Sequence, residues 1–284
     1  MVASSGVHLL VRSSGHLDGP TVILVHGFPD SQAVWDLVIP FLEPHFHVVT
    51  YDVRGAGGSS APETRRGYRM NRLLDDLIAV IERVRPTGGP VHLVGHDWGS
   101  VQMWSAVMRE GTDARLTGRI ASYTSISGPG LDLFGHFMSA GLRKREFKKV
   151  GRQLARSWYI ALFQLPFLPE LAFRRFGDRI SKYLTRKQHL EESVHWADTF
   201  AEDGANCINL YRTNGLEFTH GTTEVPVQLI VPTKDDFLTP AVYADVAHFA
   251  PAVQRIDIVA GHWVMRTHPE VIADKVVTFI GANV

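Results

Sequence analysis

The sequence has a single cysteine, Cys207, among its 284 residues. That excludes an internal disulfide framework and any multi-cysteine metal site. There is no surplus charge of either sign: 29 Lys and Arg stand against 29 Asp and Glu, with a sequence pI near 7.3. Phosphate binding draws on a basic surplus, so no nucleic-acid partner is expected. No apolar run approaches the roughly 20 residues needed to span a bilayer, and Thr21–Val25 is only strand-sized. Residues 1–10 lack a charged segment followed by an apolar core, so no secretory leader is expected and a reducing, cytoplasmic setting is the default. Internal repeats and low-complexity tracts are absent.

What is present is an ordinary globular composition, 45% hydrophobic and 20% charged. At about 100–200 residues per domain this allows one large domain or two small ones. Short β-branched runs at residues 21–25, 47–50, 91–94 and 120–126 read as buried strands. Between them, residues 31–42, 70–84 and 100–110 carry apolar side chains at helical spacing. This rhythm predicts βαβ units and a mostly parallel sheet. It breaks at Gly128-Pro-Gly130, and residues 131–221 contain no convincing strand. The rhythm resumes at residues 225–231 and 255–259 and closes with a helix near 270–280. The expected architecture is an α/β core in two parts, 1–130 and 222–284, with a helical cap over 131–221.

The chemistry centres on Gly95-His-Asp97-Trp98-Gly99, which follows a strand and precedes a helix. Glycines two residues on each side of Asp97 match the nucleophile elbow, a sharp turn that lifts one side chain above the sheet. A carboxylate there needs no deprotonation at neutral pH and attacks saturated carbon to form an alkyl ester. A helix N-cap is the competing explanation for Asp97. His26-Gly-Phe28-Pro29 follows the strand at 21–25 and can aim the Phe28 N–H beside that of Trp98, as an oxyanion requires. His262, in Ala260-Gly-His-Trp263, lies on the loop after the last strand, within reach of the elbow. The acidic partner is expected between nucleophile and base in chain order. Pro232-Thr-Lys-Asp235-Asp236 supplies two adjacent candidates, of which Asp235 is preferred.

These motifs, together with Arg54-Gly-Ala-Gly-Gly-Ser59, resemble the epoxide hydrolase branch of the α/β-hydrolases, and the likeness covers nearly the whole chain. Arg54 to Ser59 is not a dinucleotide fingerprint, because Ser60 stands where glycine is required. The resemblance implies an α/β-hydrolase fold: a mostly parallel central sheet flanked by helices, with an inserted helical cap. It supports Asp235, since the Lys234-Asp235 pair lies five residues before Pro240 as in the family's acid loop. Tyr159, ahead of a Phe-Gln pair and a Pro, and Tyr211, in Leu-Tyr-Arg, resemble the segments bearing the family's two cap tyrosines, which hold the epoxide oxygen. A cap-core aromatic is the competing explanation for each. Tyr183 lacks such a match. The implied partners are a small apolar epoxide and water, with no cofactor and no metal. The oligomeric state is open, a homodimer among the options.

A haloalkane dehalogenase shares the elbow and is one alternative, with Trp98 as a halide donor. A non-catalytic sensor that keeps the pocket to bind a small apolar ligand is another. Phe134, Phe137, Trp158, Phe163, Phe167 and Trp196 suggest an apolar pocket, although cap packing would account for most of them. The basic run from Arg143 to Arg156 reads as a solvated helix face. Asp75-Asp76 and Glu191-Glu192 read as helix-surface carboxylates, and His189 with His195 lacks metal-ligand companions. Some proteins of this type carry the hydrolase fused to a reductase domain, so a further domain beyond Val284 is left open.

Overall fold

Among the described residues, nine strands run in chain order as β1 (Val2–Ser4), β2 (Val7–Leu9), β3 (Val11–Gly15), β4 (Thr21–Val25), β5 (His47–Tyr51), β6 (Val91–His96), β7 (Ile120–Ile126), β8 (Val227–Pro232) and β9 (Gln254–Ile258). The structure, a computed structural model, describes residues 1–190, 196–215 and 217–283. Glu191, Glu192 and His195, singled out in the sequence, and Val284 lie outside the described residues. β1 and β2 form a separate antiparallel pair. The other seven make one sheet in the order β3-β5-β4-β6-β7-β8-β9, parallel except for β3 against β5.

The three N-terminal strands have no counterpart in the sequence reading, for a physical reason. β1 and β2 are three residues long and alternate buried with exposed positions. β3, Val11-Arg-Ser-Ser-Gly15, is a sheet edge with no fully buried side chain. None carries the continuous apolar run of a strand covered on both faces, which β4 and β5 do. Alternation within those runs sends Ile23, Val25 and Val49 to one face and Val22, Leu24 and Val48 to the other.

The helix expected over residues 31–42 is instead a short 3-10 turn, Gln32–Trp35, followed by α1 (Ile39–Leu42). Pro40 has no N–H and fits only a first helical turn, so the helix restarts around it. α2 (Met70–Val84) buries Leu73, Leu77, Val80 and Ile81 at helical spacing. α3 (Trp98–Val107) follows the elbow and packs beside α2 on the same face of the sheet. After β7 come, among the described residues, five helices, α4 (Leu131–Arg143), α5 (Phe147–Arg156), α6 (Trp158–Phe163), α7 (Leu168–Lys187) and α8 (Phe200–Asn214). The last two, α9 (Val264–Thr267) and α10 (Pro269–Gly281), cover the opposite face of the sheet, where Ile272 and Val276 meet Trp35 and Leu42.

α8 is laced to the core by polar contacts that satisfy backbone groups. The Asn214 amide accepts from the Met70 N–H at 2.8 Å and donates to the Tyr68 carbonyl at 2.8 Å. Asp203 accepts the Gly57 N–H at 2.8 Å, and Asn206 donates to the Gly55 carbonyl at 3.1 Å. Beneath that loop lies Arg54, fully buried, which grips both carboxylate oxygens of Asp76 at 2.7 and 2.6 Å and also donates to the carbonyls of Gly67 and Arg72. Asp76 is therefore a buried structural anion and not a surface carboxylate; the inner face of α2 turns it toward Arg54 while Asp75 stays outside with Arg72 and Arg115.

Removing one partner of a desolvated ion pair strands the other. Asp76→Ala should therefore lower unfolding free energy by about 3–5 kcal/mol, read from urea denaturation. Asp75→Ala, at the surface, should change it by less than about 1 kcal/mol.

Candidate active site

The elbow stands at the end of β6, in the middle of the sheet. Asp97 adopts φ 52° and ψ −122°, a conformation most side-chain-bearing residues avoid, and α3 begins at the next residue. Two glycines make the turn possible. A Cβ on Gly95 would sit 2.7 Å from the Cα of Ser100, and one on Gly99 would collide with the Val25 carbonyl oxygen. The strand–turn–helix is thereby pressed against the end of β4, and the loop after β4 is brought over Asp97.

One carboxylate oxygen of Asp97, Oδ1, accepts the Phe28 N–H at 2.7 Å, and the adjacent Trp98 N–H adds to the stabilisation of the carboxylate charge. The other oxygen, Oδ2, faces His262 Nε2 at 3.7 Å, too long for a direct hydrogen bond. On its far side, His262 Nδ1 meets Asp235 Oδ2 at 2.8 Å. Asp235 is held in turn, its Oδ1 accepting the N–H groups of Phe237 and Leu238 at 2.7 and 3.1 Å. Asp236 points elsewhere, to Gln188 at 2.9 Å and Lys187 at 3.5 Å.

The electrostatics follow from burial. Desolvation raises the Asp97 carboxyl above the ordinary carboxylate range, against the pull of His262 and the two N–H donors. Burial alone would lower His262; the charge and hydrogen bond of Asp235, with Asp97 and Asp30 behind it, outweigh that and raise the imidazole above its ordinary value. Burial also pushes both phenols up: Tyr159, with the Asp97 charge adding, and Tyr211, with Tyr159 and Asp97 adding. Neutral phenols are hydrogen-bond donors.

Tyr211 comes from α8 and Tyr159 from α6, with ring centroids 5.9 Å apart at a steep angle. Tyr211 also packs edge-on against Trp98 at 5.0 Å and Phe28 at 5.2 Å. α6 is positioned by Arg212, next to Tyr211 in the chain, which donates to the carbonyls of Phe163 and Leu165 and pairs with Glu170. A cavity of about 530 Å³ opens over the site, with Asp97, Tyr159, Tyr211, Phe237 and His262 in its wall. Of the aromatics that suggested a pocket, Trp158 and Phe163 line it. Phe134, Phe137 and Trp196 pack into the hydrophobic clusters, and Phe167 is 82% exposed.

Three features escaped the sequence reading. Asp30 is buried, accepts the Trp263 indole N–H at 2.8 Å, and is raised to about 7 by burial against the opposing charge of Arg266. It directly follows His26-Gly-Phe-Pro29, a position that would have flagged it. Gln153, fully buried on α5, accepts the Thr239 N–H at 2.8 Å and donates to the Phe237 carbonyl at 2.8 Å. Arg156 donates to the carbonyls of Asp235 and Leu238. The basic run is thus not solvated throughout: its last member clamps the loop that carries Asp235. Among the described residues no three His, Cys, Asp or Glu side chains are grouped to hold a metal ion, and His189 is exposed.

Comparison with known proteins identifies the fold. The family pattern described as alpha/beta hydrolase fold matches residues 20–269. "Probable oxidoreductase EphD" of Mycobacterium tuberculosis is 38% identical over 290 residues, covering 96% of this chain and 48% of the relative. The chain therefore spans about half the length of the curated relatives it matches at that identity. Mouse "Epoxide hydrolase 3" is 29% identical over 95% of this chain and 72% of its own length. Among solved structures, an epoxide hydrolase of Bacillus megaterium superposes with a TM-score of 0.80 at 21% identity, covering 99% of each chain.

Since the Asp235 charge is the largest of the contributions that raise His262, Asp235→Asn should lower the pKa of this imidazole, and Asp97→Asn should lower it less. Imidazole resonances followed by NMR across pH would read both. An unchanged titration in Asp235→Asn would contradict this account.

Proposed function

Because this chain belongs to the α/β-hydrolase fold family, we propose that it is an epoxide hydrolase, converting an apolar epoxide to a vicinal diol through an alkyl ester on Asp97. In this reading residues 1–130 and 222–284 form the hydrolase core and residues 131–221 the cap. The observation that carries the proposal is the division of labour at Asp97. One oxygen rests on the Phe28 N–H and the other is turned toward His262, in a cavity also walled by Tyr159 and Tyr211. The relatives and structural neighbours named epoxide hydrolases support it.

The chemistry follows the atoms. Tyr159 and Tyr211, neutral and buried, donate hydrogen bonds to the epoxide oxygen. Asp97 Oδ2 attacks a ring carbon as the C–O bond breaks, and the developing alkoxide takes a phenolic proton, without which it is a poor leaving group. Asp97 becomes an ester whose carbonyl oxygen is Oδ1, already seated on the Phe28 N–H. His262, held by Asp235, then removes a proton from water as that water attacks the ester carbonyl. The Phe28 and Trp98 N–H groups stabilise the resulting oxyanion. Collapse breaks the Cγ–Oδ2 bond, so Oδ2 leaves in the diol as the departing alkoxide takes the proton held by His262. The new Asp97 carboxyl, which carries the oxygen of the water, gives up its remaining proton and the tyrosinate regains one, which restores both groups. The 3.7 Å between His262 and Asp97 suits this division, because the imidazole acts on water and not on the carboxylate.

A dehalogenase would need N–H donors free to take a halide. Trp98, the candidate donor, is packed edge-on against Tyr211 with ring centres 5.0 Å apart, and Tyr211 and Tyr159 stand side by side as two phenols suited to an epoxide oxygen, so that arrangement favours the epoxide.

A panel of aromatic and fatty-acid epoxides, with brominated alkanes as control and diol followed by mass spectrometry, tests the proposal. Asp97→Ala should lose at least about a thousandfold in turnover. His262→Gln should still be alkylated and accumulate the ester, seen as a mass increase equal to one substrate. Tyr159→Phe should slow ring opening by about tenfold, and Tyr159→Phe with Tyr211→Phe by about a thousandfold, within the range of a positioned acid. Halide release without diol, or wild-type turnover by Asp97→Ala, would overturn it.

A further inference from the structure

The net charge of zero conceals a strong segregation. Residues 143–187 carry thirteen Lys and Arg against three Asp and Glu, a surplus of ten, while the rest of the chain carries sixteen against 26. Apolar exposure is concentrated in the same place. Of sixteen exposed large hydrophobic side chains among the described residues, eleven fall between Leu142 and Tyr183. Isolated exposed hydrophobics are ordinary, but a concentration of this kind marks an interaction surface.

The two properties meet at the mouth of the cavity. Trp158 and Tyr183 are 65% and 60% exposed and also line the cavity, which puts them on its rim. Beside the rim, the loop joining α6 to α7 raises an apolar knuckle of Leu165, Phe167, Leu168 and Leu171, while its neighbours Pro169 and Ala172 line the cavity. This knuckle is built rather than loose. Arg212 holds it from below through the Leu165 carbonyl and Glu170, and Phe167, its most exposed side chain, is kept at φ 63°. Basic groups surround it. The guanidiniums of Arg175 and Arg179 lie 5.9 and 5.4 Å from the Phe176 ring centre, and Lys187 Nζ lies 5.9 Å from that of Tyr183. α5, which packs next to α6, buries only Val150 and Gln153 and leaves Lys148, Lys149 and Arg152 outside.

We propose that this face of the cap docks on the surface of an anionic lipid bilayer, with the 165–171 knuckle inserted at the headgroup boundary and the basic residues around it against lipid phosphates. Charge selects this occupant. A second copy docked face to face would set one basic surplus against another. An acidic protein would answer the charge but leave Phe167, Leu168 and Leu171 without an apolar environment. A bilayer with anionic headgroups satisfies both at once. The contact is superficial, since among the described residues no helix is long and apolar enough to cross a membrane. Docked in this way, the apolar cavity opens toward the lipid, where apolar molecules concentrate. The docking itself does not depend on the reaction proposed above.

Vesicle flotation of the 284-residue chain tests this, using phosphatidylcholine alone and phosphatidylcholine mixed with phosphatidylglycerol. The expected result is partitioning at least about tenfold stronger on the anionic vesicles, weakening as salt is raised from about 0.1 to about 0.5 M. Phe167→Asp with Leu171→Asp should cut that partitioning by about tenfold or more while the thermal unfolding midpoint is unchanged, because both side chains are already solvent-exposed. Lys148→Glu with Arg152→Glu should remove most of the preference for phosphatidylglycerol. Equal or absent binding to the two vesicle types would overturn the proposal, as would unchanged binding of both variants. Sedimentation showing a lipid-independent dimer that Phe167→Asp with Leu171→Asp dissolves would assign the face to a second copy instead.

Discussion

Everything at the site depends on a close approach of backbone to backbone, where the turn after β6 is pressed against the end of β4. Gly99 meets the Val25 carbonyl with no room for a methyl group, and Asp97 is thereby held at positive φ above the sheet. That single crowding brings together groups distant in sequence: the Asp97 carboxylate, the Phe28 N–H and, across β7 and β8, the Asp235–His262 pair. The strained conformation persists because the surrounding sheet and helix leave no alternative.

The second constraint is the lacing of α8 to the core. Asp203, Asn206 and Asn214 satisfy backbone groups of the loop above Arg54 and of the start of α2, so α8 is tied to the sheet's helical layer although it follows α4 to α7 in the chain. Tyr211 is therefore placed by core contacts, and Arg212 passes that placement on to α6 and Tyr159. On the other side of the cavity, Gln153 and Arg156 of α5 hold the loop that carries Asp235. Helices α5, α6 and α8 thus meet the loops at the sheet's end, or one another, through hydrogen bonds at both walls of the cavity, while its lining remains largely aromatic and aliphatic. Burial in that lining has opposite consequences for the groups it encloses. It keeps the phenols protonated and lifts the Asp97 carboxyl, whereas His262 is raised only because a second carboxylate sits behind it. The outer surface of residues 143–187 is different in kind, basic and apolar together, and its character is lost when charge is summed over the whole chain.

Much of this was legible from residue order. The strands buried on both faces announce themselves as unbroken β-branched runs, because a parallel sheet covered by helices has no polar side. The elbow is legible because the turn tolerates only glycine at two positions, and the residue between them is exposed to chemistry by geometry alone. The edge strands β1 to β3 were not legible, since a half-solvated strand of three to five residues leaves no periodic signal. Nor was the restart at Pro40, where apolar spacing suggested one helix and a missing N–H imposed two.

The sequence by itself determined the alternation of strands and helices, the turn at Asp97 and the chain order of Asp97, Asp235 and His262, because these rest on local rules of spacing and backbone freedom. The tertiary structure decided what depends on burial and on contacts between distant segments. It turned Asp235 and not Asp236 toward His262, sank Asp76 against Arg54 while leaving its neighbour Asp75 outside, and buried Asp30 beside Trp263. Adjacent carboxylates are chemically alike along the chain. Only the direction in which the fold points each one, and how much water it leaves around it, makes one an anchor, one a partner of the imidazole and one a surface charge.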